Sequence, residues 1–531
     1  MPTATRDQET QRLYNELEDR LLARDQIGGS RVYYELLRHG RPLPEIMAEA
    51  VRIHAPYTHV PYHQRIDDGF PNFVNNDHCL LSARAAVNLQ SMLPEKLAAL
   101  PLAQTIWYIP SGLDIWNQKI LKAPGHYATR GYKMPNTTPP APAVYWPDQE
   151  PLKQPGPLGE RLNHWLTLVE RGEVVDAYRV FLGLIEETEH RQEVLAQLVF
   201  AGLIDVQDRM LYNRSYTTGH KAYRARSVVE LGNAIGWERA HDVIYAGALD
   251  IAVGPRWHSV YEMACNVITM FIEGAEVHAV PQGGTTERER ALLGNTAMLG
   301  EAETAELVDA LIRQHEPAYI EKISQLLLAG TSPRSIVDAI QLAAAQVVLE
   351  TDRPNAFSMP QHTYEYCNTL GWFYDNFEHP QRLKLLYVAG SMVNQAAWNQ
   401  KHMGWAKIEP VSVPGSADRL TGAQIIDRLE EAMTAFDPTQ SVAWTKAYLE
   451  SGADRSPLVQ RLALMASRFG NDPHNQEIPQ CLLQDYAKNR SADRDRLLLA
   501  CAHISAGHRK YGDTFEAARR FGDAMGLAEL H

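Results

Sequence analysis

The chain has 531 residues, enough for one large domain or several ordinary ones. Lys and Arg number 51 against 64 Asp and Glu, a formal net charge of −13, which argues against a nucleic-acid or anionic-membrane partner because both select clustered positive charge. With 45% hydrophobic and 22% charged residues the composition is that of a folded globular chain, not a disordered one.

The N-terminus, MPTATRDQETQRLYNELEDR, is polar and helical in character, with no apolar signal core. No run of 18 or more apolar residues follows anywhere, so a soluble, cytoplasmic protein is expected. The helical stretch PEIMAEAVRIH leads into APYTHVPYH. There Pro56 and Pro61 forbid a helical His-x-x-x-His pair among His54, His59 and His63. Next comes Asn75-Asn76-Asp77-His78, a polar link with an imidazole at the head of a new helix. Nine prolines lie between Pro124 and Pro157, so this stretch is not helical. Tyr127, Tyr132, Tyr145 and Trp146 within it leave two readings, an exposed linker and an ordered wrap or lid.

Beyond it the 3.6-residue period dominates, as in 174–211, 303–316 and 335–350. Thr286-x-x-Glu289 is a capping box that opens one of these helices. Glu187-x-x-His190 and Glu238-x-x-His241 have di-iron spacing, but two matches are close to chance in a chain with 20 His. The five cysteines, Cys79, Cys265, Cys367, Cys481 and Cys501, form no Cys-x-x-Cys pair, which excludes a zinc ribbon and fits a reducing compartment. No Walker loop, Gly-x-Gly-x-x-Gly, Gly-x-Ser-x-Gly or Cys-x-x-Cys-His appears.

The expected fold is mainly α. Repeated helical hairpins form one large α-helical domain or two closely packed helical lobes. The expected segments are an N-terminal lobe (1–123), the proline-rich stretch (124–160), central repeats (161–409) and a C-terminal unit (410–531). The repeat is the most informative feature. With His220 laid over His362, the chain reads helix, irregular link, His, helix, break, helix in both copies. A weaker copy carries His78 at the helix head. A fourth, after LVQRLALMASRF, would have Cys481 there.

These histidines follow polar links: Asn75-Asn76-Asp77-His78, Thr217-Thr218-Gly219-His220 and Met359-Pro360-Gln361-His362. A cation in a first helical turn opposes the helix dipole, whereas a neutral imidazole does not, and a metal ligand must be neutral. If the units close around an axis, the heads converge and could bind Zn, Fe, Ni or Cu. If the units stack as a solenoid, they form a ladder and do not meet. His258 follows the last helix of one copy and is the candidate fourth ligand. Lys221, next to His220, is a candidate base or Schiff-base amine. Trp107, Tyr108, Trp116, Trp257, Trp372 and Trp398 are candidates to wall a flat apolar pocket.

Through Asn75-Asn76-Asp77-His78-Cys79-Leu80 and Gly219-His220-Lys221 the chain resembles the questin oxidase-like family. The resemblance implies a mainly helical oxygenase that opens or cleaves polycyclic aromatic polyketides with O₂. It also implies non-haem iron on several histidines and, in some members, a carboxylated lysine, for which Lys221 is the candidate. The expectation is therefore a metal-dependent oxygenase with Fe(II) on His78, His220, His362 and His258. Its partners would be a small aromatic substrate and O₂, with a homodimer left open. Two other classes compete: a non-catalytic helical-repeat interaction protein, and a zinc-dependent hydrolase on the same histidines.

Overall fold

A computed structural model describes residues 7–55, 59–67, 70–75, 78–113, 146–206, 219–252, 258–277, 284–352, 356–407, 410–470, 472–508 and 512–530. The chain is mainly α, as its periodicity predicts. One antiparallel hairpin, His59–Asp67 with Phe70–Asn75, runs up to the helix that opens at His78. Among the described residues no helix is long and apolar enough to cross a membrane.

Four inner helices define the architecture: His78–Gln90, His220–Ile235, Ser358–Asn376 and His474–Lys488. The first packs on the second, the second on the third, the third on the fourth, and the fourth back on the first. Each is preceded in the chain, and backed in space, by an outer helix: Leu43–His54, Arg191–Leu203, Pro333–Glu350 and Ser456–Arg468. The repeat is thus four units closed around an axis, not an open ladder. Helices from 1–123, 161–409 and 410–531 all contribute to this one ring. Of the proline-rich stretch, residues 124–145 lie outside the described residues. Further on, Leu152 N–H donates to the carbonyl of Arg179 at 2.8 Å, so the chain there runs along the helix Val174–Ile185.

The inner helices are enclosed on all sides, so they bury polar residues as well as apolar ones. In His220–Ile235 even Lys221, Arg224 and Arg226 are inside. Each has an acidic or amide partner, as burial of charge requires. Lys221 Nζ lies 2.5 Å from Asp205, Arg224 pairs with Asp250, and Arg226 donates to Asn368. The predicted capping box is present: Glu289 N–H donates to Thr286 Oγ1 at 3.0 Å, and Thr286 N–H to Glu289 at 2.9 Å. The buried Lys384 ammonium then meets the same Glu289 at 2.5 Å, joining this helix to the core.

Two glycines set the second inner helix. Gly219, just before His220, has φ +108°, a left-handed conformation that an L side chain rarely adopts. Gly202, on the outer helix, is where the two helices touch: a Cβ there would lie 2.6 Å from Ala222 N and 2.7 Å from Lys221 C. Backbone cannot yield as a side chain does. Gly202→Ala should therefore cost about 1–3 kcal/mol in urea denaturation, through displacement of the His220 helix. An unchanged midpoint would mean that the two helices do not approach this closely.

Candidate metal centre

Three inner helices begin on an imidazole, His78, His220 and His474, and the fourth carries His362 one turn after its first residue, Ser358. The helices keep register along the axis. Six residues beyond each histidine stand Arg84, Arg226, Asn368 and Gln480. Arg84 bonds Gln480 at 3.3 Å, and Arg226 bonds Asn368. The four therefore run parallel, and their N-terminal ends converge where the imidazoles are.

The imidazoles close a ring. Centroids are 5.4 Å apart for His78 and His220, 4.9 Å for His220 and His362, 5.4 Å for His362 and His474, and 4.8 Å for His474 and His78. One nitrogen each from His78, His220 and His474 lies within 4.8 Å of the others. His220 Nε2 and His362 Nε2 are 2.9 Å apart. Two nitrogens at right angles around one ion, each about 2.1 Å from it, would show nearly that separation.

The groups behind the ring orient it. A carbonyl only accepts, so the 2.5 Å contact of His362 Nδ1 with Ser358 O makes Nδ1 the N–H and leaves Nε2 with its lone pair. His474 Nδ1–H donates to Asp472 at 2.7 Å. Its Nε2 is buried and has no hydrogen-bond partner among the described residues. A buried imidazole nitrogen without a hydrogen-bond partner, beside three other imidazoles, makes the ring a candidate metal site.

Electrostatics separate these two histidines. Burial, reinforced by His220 and His474, holds His362 well below its ordinary value, so it is neutral. Burial also opposes charge on His474, but Asp472 outweighs it and pushes His474 up to about 10. Burial likewise opposes ionisation of Asp472, yet the same partner holds its carboxyl far below the usual range. This ion pair contributes stability that is complete below His474's ordinary value of 6.5 and declines as pH rises toward 10. Asp472→Asn should remove that decline, read as the urea midpoint of chelator-treated protein across this interval. The same slope in both proteins would deny the pair.

The expected ligands His78, His220 and His362 meet in this ring. His258 does not: it stands before the helix Ser259–Val267, and the fourth imidazole is His474. His474 heads the inner helix whose head position had been placed on Cys481, two turns further along. Lys221 does not offer a free amine, because its Nζ is held by Asp205 with both groups 1% exposed. Consecutive residues on a helix diverge by about 100°, so a neighbour of His220 in sequence faces elsewhere. Glu187 is likewise committed, to Arg161. Among the aromatics, Trp116 and Trp257 lie outside the described residues. Trp372 lies 4.9 Å from the Arg226 guanidinium, and Trp398 is exposed and stacks on His402.

A signal for His474 was present. Asn471-Asp472-Pro473-His474 repeats the pattern of Asn75-Asn76-Asp77-His78, a polar link that ends in an imidazole. Spacing hides it: His78, His220 and His362 are separated by 142 residues each, but His474 comes only 112 after His362.

Fold and site together define a mainly α protein in which parallel helices close around an axis and carry an imidazole ring at their N-terminal end. No family model, curated protein or solved structure matches the chain.

Proposed function

We propose that the imidazole ring holds non-haem Fe(II), and that the protein is an oxygenase acting on an aromatic or polyketide-like small molecule. The observation that carries this reading is convergence. Four imidazoles meet, and His362 and His474 have their Nδ1 atoms engaged behind them, which directs Nε2 toward a common centre. An interaction scaffold has no need of that arrangement. The resemblance to questin oxidase-like proteins at His78 and His220 favours oxygen chemistry on an electron-rich ring over hydrolysis.

Four nitrogen donors suit Fe(II) and leave coordination positions for small ligands. Bound iron would supply the one-electron chemistry through which dioxygen reacts with an aromatic substrate. The chain's own residues orient His362 and His474 and keep His362 neutral, and His474, which Asp472 holds charged, gives up its Nε2 proton to bind the ion. The converging helix N-termini favour an anionic group at this end, such as a phenolate. Lacking a nucleotide-binding motif, the chain would draw its electrons from the substrate or from a partner.

The test is elemental analysis of protein purified without chelator, followed by anaerobic Fe(II) addition and oxygen uptake with hydroxylated anthraquinones. About one iron per chain and substrate-dependent uptake are expected. Stoichiometric zinc without uptake would favour the hydrolase. No tightly bound ion under either condition would overturn the reading and leave the helical interaction protein ahead.

A further inference from the structure

A divalent ion among the imidazoles would bring two positive charges into the interior, and the four helix N-termini there add positive potential. An anion is needed close by. Asp472 is committed to His474 Nδ1, and Asp205 to Lys221. Glu365 accepts from Arg84 at 3.1 Å.

Glu477 stands apart from these. It is fully buried, and neither carboxylate oxygen has a hydrogen-bond partner among the described residues. It lies three residues beyond His474, hence on the same face of the same helix. The groups acting on it are Glu365, His474, His78 and Arg84, contributed by three of the inner helices. By register it stands three residues past His474 and three before Gln480, between the level of the imidazoles and that of Arg84. The Arg84 guanidinium is already engaged with Glu365 and Gln480. A buried carboxyl without a donor is costly unless it carries a proton or faces a cation.

We propose that Glu477 is the counter-charge of the ion held by the imidazoles, an assignment that rests on the metal-site reading above. In the metal-free protein, burial and then Glu365 push Glu477 up to about 8, so its carboxyl holds a proton at neutral pH. When the ion enters, His474 loses its Nε2 proton and the O–H bond of Glu477 breaks, both protons leave to solvent, and together these losses offset the two incoming charges.

Co(II) added to the chelator-treated full chain is the probe. Calorimetry in buffers of different ionisation enthalpy counts the protons released, and visible absorption reports the site. Glu477→Gln keeps the shape of the protonated acid, so the metal-free urea midpoint should hold. Co(II) should bind about 10–100-fold more weakly, with one proton fewer released at pH 7. Should the Gln variant not fold, Glu477→Asp decides: weaker Co(II) binding with the full proton count is expected. Wild-type affinity, proton count and spectrum in the folded variant would overturn the assignment while leaving the imidazole site standing. Failure of the unmodified chain to bind Co(II) would overturn both.

Discussion

His474→Ala is expected to abolish tight metal binding, whereas His258→Ala is expected to leave it intact. His474 supplies a buried Nε2 that has no partner among the described residues, and its ring touches those of both His78 and His362. Removing it opens the ring on one side and also deprives Asp472 of its cation. The affinity should fall by more than about 100-fold, beyond what loss of a supporting residue causes. The abandoned carboxylate should cost about 1–3 kcal/mol of stability. The double variant His474→Ala/Asp472→Asn removes that charge, so weak binding together with near-normal stability would locate the loss at the site. Elemental analysis and urea denaturation of the three variants give the answer. Metal retained by His474→Ala and lost by His258→Ala would overturn the ring as the ligand set.

Lys221→Met is expected to destabilise the protein by about 3–5 kcal/mol without altering Co(II) affinity. Lys221 and Asp205 are both 1% exposed and 2.5 Å apart. Loss of the ammonium leaves a carboxylate in a medium that solvates it poorly. Lys221→Met/Asp205→Leu removes both charges and should return to within about 2 kcal/mol of the unmodified protein, because two apolar groups need no partner. Equilibrium urea denaturation of the single and double variants checks this. Normal stability with lost metal or activity in Lys221→Met would reinstate the lysine as a functional group.

How far the site was legible depends on the residue. His78 and His220 stand at helix heads after polar links, and His362 follows from the repeat, so local pattern finds all three. His474 shares the link but not the spacing, and an alignment anchored on equal unit lengths passes over it. His258 follows the last helix of one copy, but it heads a further helix that takes no part in the ring. Lys221 drew attention by adjacency, which on a helix places side chains on different faces.

The buried charges were the least legible. Arg84, Arg226, Glu365 and Glu477 look like solvated positions in any single helix, yet all are inside. A helix reports one face to its neighbours and the other to water only when it has water on one side. Over most of their length the inner helices have none, and the sequence of one of them does not state that three others surround it.

By itself, then, the sequence determined the helical class, the repeated unit, the capping box at Thr286 and three of the four imidazoles. Each of these is set by residues within a few helical turns of one another. Closure of the ring, the choice of His474, the Lys221–Asp205 pair and the burial of Glu477 were decided only by tertiary structure. They join groups 16 to several hundred residues apart in the chain, and what brings them together is the packing of inner helices on one another rather than any local preference.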